Sequence, residues 1–296
     1  MPVRPWTYAR LQVPFAGMDA ALVAAVRPLF LSARAEGLAD RAFFLRYEDG
    51  TGPHLRVRLR AATRRGAAAR LEERVARALR LAVAAGLAAD LAFDRYEPEL
   101  AIYGNAAGVD LAEEAFAAGS AAALGLLASM AAGAAPTAPE AAVLLWDASL
   151  RGLRLDRGAR RSLLRAHAAA GGAGGPGAAG ELAARFEAHR ETLASLLGPD
   201  APASLRTRCG GDRRAARALV AYRRRLGRIG RRLRAAARAG RLGRPVATFA
   251  RRFLHLEANR LGLDPSEETA LADLVARALP AEEAGGPALD RASPAP

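Results

Sequence analysis

Hydrophobic residues in the first hundred positions recur with two different periods. Segments in which apolar and polar residues alternate, with aromatic residues among them, predict four strands, at 6–14, 41–48, 53–60 and 91–96. Segments whose apolar residues recur every three or four positions predict two amphipathic helices, at 18–37 and 63–85. The turn-forming sequence DGTG separates the second strand from the third. The predicted order is β-α-β-β-α-β, which is the order of a ferredoxin-like fold.

Beyond residue 103 the apolar periodicity is helical. The predicted helices span 109–131, 139–151, 159–169, 181–196, 213–239, 245–261 and 266–279. We therefore predict an α+β protein with an N-terminal ferredoxin-like subdomain at 1–104 and a mostly helical subdomain at 105–280. The Gly-rich stretch 171–180 has no core-forming residue and predicts a flexible linker. The tail 281–296 is expected to be disordered.

The third predicted strand carries a dense strip of basic side chains. In the sequence GPHLRVRLR, a period of two sets His54, Arg56, Arg58 and Arg60 on one face of the strand, and apolar residues on the other. Guanidinium groups bind carboxylates through paired hydrogen bonds and stay charged, so this strip could hold an anionic substrate. An antiparallel sheet with one solvated face produces the same alternation. Both interpretations stay open at this point.

A second candidate lies in the predicted helix that contains the sequence FLHLEANRLG. His255 and Asn259 are four residues apart and share a helix face, and Arg252 lies about one turn earlier. Asn259 could orient the imidazole of His255, which would then act as a general acid or base near neutral pH. A single histidine on a helix is more often structural or merely exposed.

The basic residues other than histidine are all arginine, and the net charge is +14. Together with the many alanines, this composition indicates a GC-rich genome, and a solvated surface explains most of the arginines. So large a surplus would still attract an acidic peptide or RNA. The arginine-rich helix at 213–244 is a candidate docking surface for an acidic leader peptide, with tRNA as the weaker alternative. A solvated amphipathic helix has the same pattern.

Cysteine and histidine usage argues against several kinds of site. Cys209 is the single cysteine, which excludes an intramolecular disulfide and a cysteine-cluster zinc site. The four histidines form no HExxH or HxxxH pair, so neither a metal nor another cofactor is predicted. The N-terminus has no secretion signal, and no uninterrupted apolar run reaches the roughly 18–20 residues of a membrane span. We therefore expect a cytoplasmic protein without membrane contact.

Several of these segments together resemble a known family. WTYARL near the start, FFLRYEDGTGPHLRVRLR, RYEPELAIYG followed by AEEAFAAGS, and HLEANRLG near the end resemble thiopeptide-type bacteriocin biosynthesis proteins. That family comprises the C-terminal domains of lantibiotic dehydratases. The resemblance runs over residues 6–280, and its two most specific motifs contain the arginine strip and the helical histidine.

The resemblance implies an elimination reaction. In that family a separate protein or domain esterifies Ser or Thr of a precursor peptide with glutamate from glutamyl-tRNA. The C-terminal domain then removes the α-proton and expels glutamate, which leaves a dehydroamino acid. Family motifs assign Arg56 and Arg58 to the carboxylates and enolate, and His255 to proton transfer. We expect the surrounding side chains to contribute to substrate binding, namely His54, Arg60, Arg95, Arg252 and Asn259. The expected partners are a leader-bearing precursor peptide and a separate glutamylating protein, without direct RNA binding.

Two positions depart from the family pattern. Ile102 stands where many members have arginine, which Arg95 could replace in space, and Gly119 stands where many have an acidic residue. These departures favour a pyridine synthase, the family's offshoot that joins two dehydroalanines by a formal [4+2] cycloaddition with loss of the leader peptide. A third alternative is a non-catalytic partner that only binds the precursor. Elimination is the first hypothesis because Arg56, Arg58 and His255 are all present.

Overall fold

A four-stranded antiparallel sheet forms the N-terminal part of the molecule. The computed structural model describes residues 5–133, 136–171, 178–198 and 202–279. The strands lie in the order β2-β3-β1-β4, and each pair of neighbours is antiparallel. Their bounds are β1 Trp6–Gln12, β2 Ala39–Asp49, β3 Gly52–Ala61 and β4 Asp90–Asp94. All four predicted strands are thus confirmed, although β1 and β4 end two residues earlier than predicted.

Two helical segments cover one face of this sheet. The first runs over Phe15–Ala35 and consists of a 3-10 turn, α1 (Met18–Ala21), a π-helical turn and α2 (Arg27–Ala35). The second is α3 (Ala67–Ala84), whose leucine and valine positions form its buried stripe. The buried residues of both helical segments pack against the apolar positions of β1 and β3 in the core. The opposite face of the sheet therefore carries the strip of basic side chains, as the alternation predicts.

The rest of the described chain is helical. The helices are α4 Leu100–Tyr103, α5 Ala106–Ala131, α6 Ala138–Gly152, α7 Arg157–Ala170, α8 Ala178–Leu196, α9 Pro202–Arg208, α10 Arg213–Arg238, α11 Val246–Leu261 and α12 Pro265–Ala278. A helix-rich chain with one small antiparallel sheet is of the α+β class. Helix α5 is at the centre, because it packs against β2, α10 and α11. Helices α5 and α11 thereby join the sheet to the helical part.

Two elements in this part were not predicted. The four-residue helix α4 and the seven-residue helix α9 are too short to show a helical period in the sequence. The predicted linker at 171–180 was wrong at its end, because residues 178–180 begin α8, whereas 172–177 lie outside the described residues. The tail at 281–296 also lies outside them.

Two helical segments are long and apolar enough to cross a membrane by length and composition, namely Phe15–Ala35 and Ala106–Ala131. Neither segment was predicted, because polar residues interrupt the apolar run in each. In α5, 67% of the apolar window is buried inside the protein. This burial explains its apolar composition as that of a core helix.

Candidate functional site

The strand register assembles the strip of basic side chains across the sheet. Arg56 on β3 lies opposite Arg10 on β1, and Arg58 lies opposite Tyr8. On the other side of β3, Arg58 is opposite Phe43 of β2. The predicted face therefore exists, and it is completed by aromatic residues and Arg10 from the neighbouring strands. We call this face of the sheet, from His54 to Arg60 with its neighbours, the arginine face.

Arg58 is buried in an aromatic box. Only 7% of the residue is exposed, and its guanidinium carbon lies 4.5 Å, 5.0 Å and 5.5 Å from the ring centres of Tyr8, Tyr96 and Phe43. Its Nε has no hydrogen-bond partner, and no carboxylate pairs with it among the described residues. A buried cation normally has a counter-ion. Arg58 therefore has unsatisfied capacity to bind a carboxylate.

Arg56 is more exposed than Arg58, but it already lies near a carboxylate. Its guanidinium carbon lies 3.3 Å from the centre of the Tyr47 ring, and its Nη2 is 3.7 Å from an Asp49 carboxylate oxygen. Asp49 also receives a 2.8 Å hydrogen bond from Arg10. Hydrogen bonds from Thr51, with Arg10 nearby, lower the pKa of Asp49 to about 2. Arg56 and Arg10 thus share one internal carboxylate, which leaves a net positive charge at this end of the arginine face.

His54 is fully buried, and both of its ring nitrogens are engaged. Nδ1 lies 2.9 Å from the Gly52 carbonyl oxygen and donates to it, because a carbonyl can only accept. Nε2 is then the acceptor for the Arg56 Nε, at 3.4 Å. An imidazole in this state has no free lone pair for a substrate proton. Nε2 also lies 3.9 Å from an Asp49 carboxylate oxygen, and the role of His54 in substrate binding stays a prediction.

Arg60 is paired within the fold. It donates two 2.9 Å hydrogen bonds to the two carboxylate oxygens of Asp40, and its Nη1 lies 3.4 Å from Asp110 and 3.8 Å from Glu113. The guanidinium of Arg60 is thus surrounded by three carboxyl groups. Its role in substrate binding stays a prediction, but Arg58 and Arg60 are not equivalent, although the strand pattern makes them look alike.

His255 lies on α11 with its side chain 44% exposed. Its Nδ1 is 3.0 Å and 3.2 Å from the two carboxylate oxygens of Glu268, which is buried at the start of α12. The Nε2 of His167 on α7 lies 2.6 Å from the same carboxylate. Burial by itself raises the pKa of Glu268, but the hydrogen bonds from the two histidines outweigh it and lower the pKa. His255 is therefore held on its inner side and open on its outer side.

Asn259 does not orient His255, so that prediction was wrong. Its side-chain oxygen accepts a 3.1 Å hydrogen bond from the backbone N–H of Arg46, and its amide nitrogen donates a 2.9 Å bond to the Arg46 carbonyl. Arg46 belongs to β2, the edge strand of the sheet, whose backbone groups would otherwise lack partners. Asn259 thus attaches α11 to the sheet edge. The one-turn spacing from His255 reflects a shared helix side, not a contact.

The segment around Ile102 is contacted by an arginine other than Arg95, which was the one expected. Arg95 is exposed just after β4, and the described residues give its side chain no partner. Burial raises the pKa of Tyr103 above its usual value, and the charges of Arg252 and Arg260 oppose this shift. Arg252 is exposed on α11, and Arg244, just before α11, donates a 2.9 Å hydrogen bond to the Ala101 carbonyl next to Ile102. Arg244 is thus an arginine in direct contact with this segment.

Gly119 lies in the core beside Arg260. A Cβ atom at Gly119 would lie 2.8 Å from Nη1 of Arg260, so the guanidinium occupies the space of a side chain at this position. Arg260 is 2% exposed, and burial lowers its pKa to about 10. Glu257, also on α11, is the nearby carboxyl group. The departure at Gly119 therefore concerns this buried cluster and not the arginine face.

Helix α11 connects the two candidate regions. Among the described residues no hydrogen bond or ion pair joins His255 to Arg56 or Arg58. An indirect path exists through rings, because Phe253 of α11 packs on Phe116 and Phe116 on Phe43, which contacts Arg58. A bound peptide would have to bridge the remaining gap. No cluster of three His, Cys, Asp or Glu residues suited to a metal occurs in the described part of the chain.

Sequence reasoning did not find several parts of the site. Glu268 follows a helix-capping pattern, and nothing in its spacing indicates a contact with His255 or His167. Tyr8 and Arg10 could have been found, since they alternate on β1 in the same way as the arginines alternate on β3.

Fold and site together define a class of protein: an α+β domain with a buried cationic face and a histidine on a neighbouring helix. The chain belongs to the lantibiotic biosynthesis dehydratase C-terminal family, which residues 6–279 match. No curated protein sequence matches it significantly.

Solved structures extend this finding. The tRNA-dependent lantibiotic dehydratase MibB from Microbispora sp. 107891 is 26% identical, with a TM-score of 0.72 over 93% of this chain and 28% of MibB. This chain thus spans little more than a quarter of MibB. TbtD, a pyridine synthase from thiomuracin biosynthesis, is 21% identical, with a TM-score of 0.69 over 93% of this chain and 97% of TbtD. TsrL is 19% identical, with a TM-score of 0.59 over 93% of this chain and 94% of TsrL. The last two identities establish a shared fold alone. For this chain the findings establish the family of the dehydratase C-terminal domain and its fold.

Proposed function

We propose that this chain eliminates glutamate from glutamylated Ser or Thr residues of a precursor peptide, which leaves dehydroamino acids. The observation that carries the proposal is the buried guanidinium of Arg58, which has no carboxylate partner among the described residues. A glutamyl ester brings a free carboxylate, and its departure creates a second one. A guanidinium without a counter-ion can bind either of them through paired hydrogen bonds.

In this proposal His255 is the base that takes the α-proton. Its Nε2 takes the proton from Cα, and the electron pair of that bond is delocalised onto the adjacent carbonyl as an enolate. The pair then forms the Cα–Cβ double bond as the Cβ–O bond breaks. Glutamate leaves as a carboxylate beside Arg56 and Arg58, which also stabilise the developing enolate. His255 is 44% exposed, whereas His54 is buried with both nitrogens engaged. The difference in access favours His255.

A pyridine synthase is the second candidate, favoured by a specific observation. Ile102 stands where the elimination pattern has arginine, and this chain corresponds to almost the whole length of TbtD. In the elimination proposal Arg244 compensates for Ile102, because its guanidinium reaches the carbonyl of the adjacent Ala101. A cycloaddition needs no leaving carboxylate, so an unpaired Arg58 has no evident role in it.

The proposal implies partners and a location. Elimination requires a peptide that a separate protein has glutamylated from glutamyl-tRNA, and both are available in the cytoplasm. For the acidic leader we propose docking beside α10, where Arg214 and Arg225 line a cavity of about 510 Å³ that Arg27 and Arg34 of α2 also line. The apolar stripe of α10 is buried, so its arginines line the outer side. We further propose that the sheet, with its β2-β3-β1-β4 order, is ferredoxin-like.

The test presents two substrates to the purified protein. One is precursor peptide glutamylated at Ser or Thr, and the other is precursor that already contains two dehydroalanines. Elimination predicts loss of glutamate from the first and no change in the second, as read from peptide masses. Conversion of only the second, with release of the leader, would replace the proposal with cycloaddition. Binding without conversion of either would leave a non-catalytic partner.

A further inference from the structure

The buried carboxylate of Glu268 lies between two imidazole rings and has no part in the reaction described so far. We propose that Glu268 is a positioning residue for His255: it fixes the imidazole with Nδ1 protonated and Nε2 turned to the peptide, while His167 fixes the carboxylate from the other side. The inference rests on the proposed function for its effect on rate. Its effect on the imidazole itself can be measured without substrate.

The backbone of the α11–α12 connection brings Glu268 to this position. Helix α11 ends at Leu261, and Gly262 caps it with a φ of +86°, in the left-handed region that favours glycine. Asp264 then caps α12 and forms a capping box with Glu267. The first turn of α12 is therefore rigidly defined, and Glu268 follows within it. Only 5% of Glu268 is exposed, so water does not compete for its oxygens.

The hydrogen-bond geometry determines the tautomer of His255. An ionised carboxylate can only accept hydrogen bonds, so each ring nitrogen that faces Glu268 must carry a proton. For His255 that nitrogen is Nδ1, at 3.0 Å, and for His167 it is Nε2, at 2.6 Å. A neutral imidazole has one N–H, so Nε2 of His255 keeps its lone pair. That nitrogen is then the one available for the α-proton.

The same contact supports the charged state that the reaction creates. When Nε2 has taken the proton from Cα, the His255 ring is positive and lies beside the Glu268 carboxylate, which itself stays ionised. No proton needs to pass to Glu268. Second-layer carboxylates that orient a catalytic or metal-bound histidine act in this way in other proteins.

The surroundings of the pair hold no competing acid among the described residues. On α7, His167 packs at its ring edge against Trp146 of α6, with 6.2 Å between ring centres. Trp146 in turn donates a 2.9 Å hydrogen bond to the Leu254 carbonyl, next to His255. On α11 the polar residues one turn from His255 are Arg251, Arg252 and Asn259, and Asn259 is engaged with β2. In the described part of the chain, Glu268 is thus the one side chain that forms a hydrogen bond with His255.

Nitrogen-15 NMR of the histidine rings tests the proposal. In the wild-type protein at neutral pH we expect the His255 signals of a ring protonated at Nδ1. Glu268→Met removes both acceptors at similar side-chain length, and we expect the ring to change to the tautomer protonated at Nε2, which free imidazole side chains favour. Elimination should then slow by about 100-fold or more, as for loss of a general base.

Two further variants keep the test decisive. Glu268→Gln can accept from one ring only, so an intermediate tautomer population and rate are expected even if the Met variant folds poorly. Asp147→Asn is the matched control, since Asp147 is also a buried carboxylate but its partners are arginines. It should lower thermal stability without changing the His255 tautomer.

Each outcome decides between the two claims. An unchanged tautomer in both Glu268 variants, or an unchanged rate of elimination, would overturn the positioning role. If the wild-type protein shows the expected tautomer but leaves glutamylated peptide intact, the proposed function is wrong and the assignment of Glu268 as the residue that orients His255 stands.

Discussion

The buried carboxyl group of Glu257 should make the stability of the protein fall as pH rises. Glu257 is 1% exposed and accepts a hydrogen bond from the Tyr222 hydroxyl, while its second oxygen has no partner among the described residues. Burial raises its pKa from 4.5 to about 8, although Tyr222, Arg260 and Ser149 act in the opposite direction. The folded protein thus holds Glu257 in its neutral form at pH values where the unfolded chain ionises it.

The sign and size of the effect follow from this difference. A raised pKa in the folded state stabilises the fold fully below the unfolded pKa, and this contribution is lost as pH rises toward the folded value. Each pH unit in that window costs about 1.4 kcal/mol, so between about pH 5 and pH 7 the free energy of unfolding should fall by about 3 kcal/mol through this group. The variant Glu257→Gln stays neutral and keeps an oxygen for Tyr222.

Denaturant unfolding of wild type and Glu257→Gln at several pH values measures the effect. The difference in free energy of unfolding between them should shift by about 3 kcal/mol in favour of the variant from about pH 5 to pH 7. Glu73→Gln, on the exposed side of α3, controls for the loss of one carboxyl group. The prediction is contradicted if this difference stays constant, or if the variant becomes less stable relative to wild type as pH rises. Either result would mean that Glu257 is ionised and paired with Arg260.

Three further predictions concern the site. Arg58→Lys should slow elimination about 100-fold at a nearly unchanged melting temperature. Arg60→Lys should mainly lower the melting temperature, because it breaks the pair with Asp40. If the two variants change rate and melting temperature equally, Arg58 and Arg60 do not differ in role. Asn259→Ala should lower the free energy of unfolding by about 1–3 kcal/mol, since the edge of β2 loses its partner. A slower reaction with unchanged stability would instead mean that Asn259 orients His255. Precursor binding should weaken with added salt and when the α10 arginines are replaced by Glu. If neither change affects binding, α10 is a solvated helix and not a docking surface.

The sequence predicted the arginine face well but not the state of each arginine on it. Alternation in GPHLRVRLR shows which side chains share a face, because that property is local to one strand. The difference between Arg58 and Arg60 depends on Asp40, Asp110 and Glu113, which come from β2 and α5. Such partners meet only through tertiary packing, and no spacing in the sequence indicates them.

The same limit applies to His255. Its motif identified the residue, and helical periodicity identified α11 within one residue at its start. The partner Glu268 belongs to the next helix and directly follows the capping box of Asp264 and Glu267, a pattern that by itself indicates only the start of a helix. Asn259 was assigned to His255 because helix geometry puts them on one side, but its amide meets the sheet edge. Local rules therefore found the groups, and the contacts between elements determine what they do.

The most direct test of the central claim uses a glutamylated precursor whose modified serine carries deuterium at Cα. If His255 removes the α-proton as glutamate leaves, the purified protein will release glutamate and yield a peptide that has lost the deuterium. The reaction will be slower than with the protonated substrate, and His255→Ala will abolish it while peptide binding persists. If the glutamylated peptide survives unchanged, or if His255→Ala converts it at the wild-type rate, the account of this chain as the eliminating enzyme is contradicted.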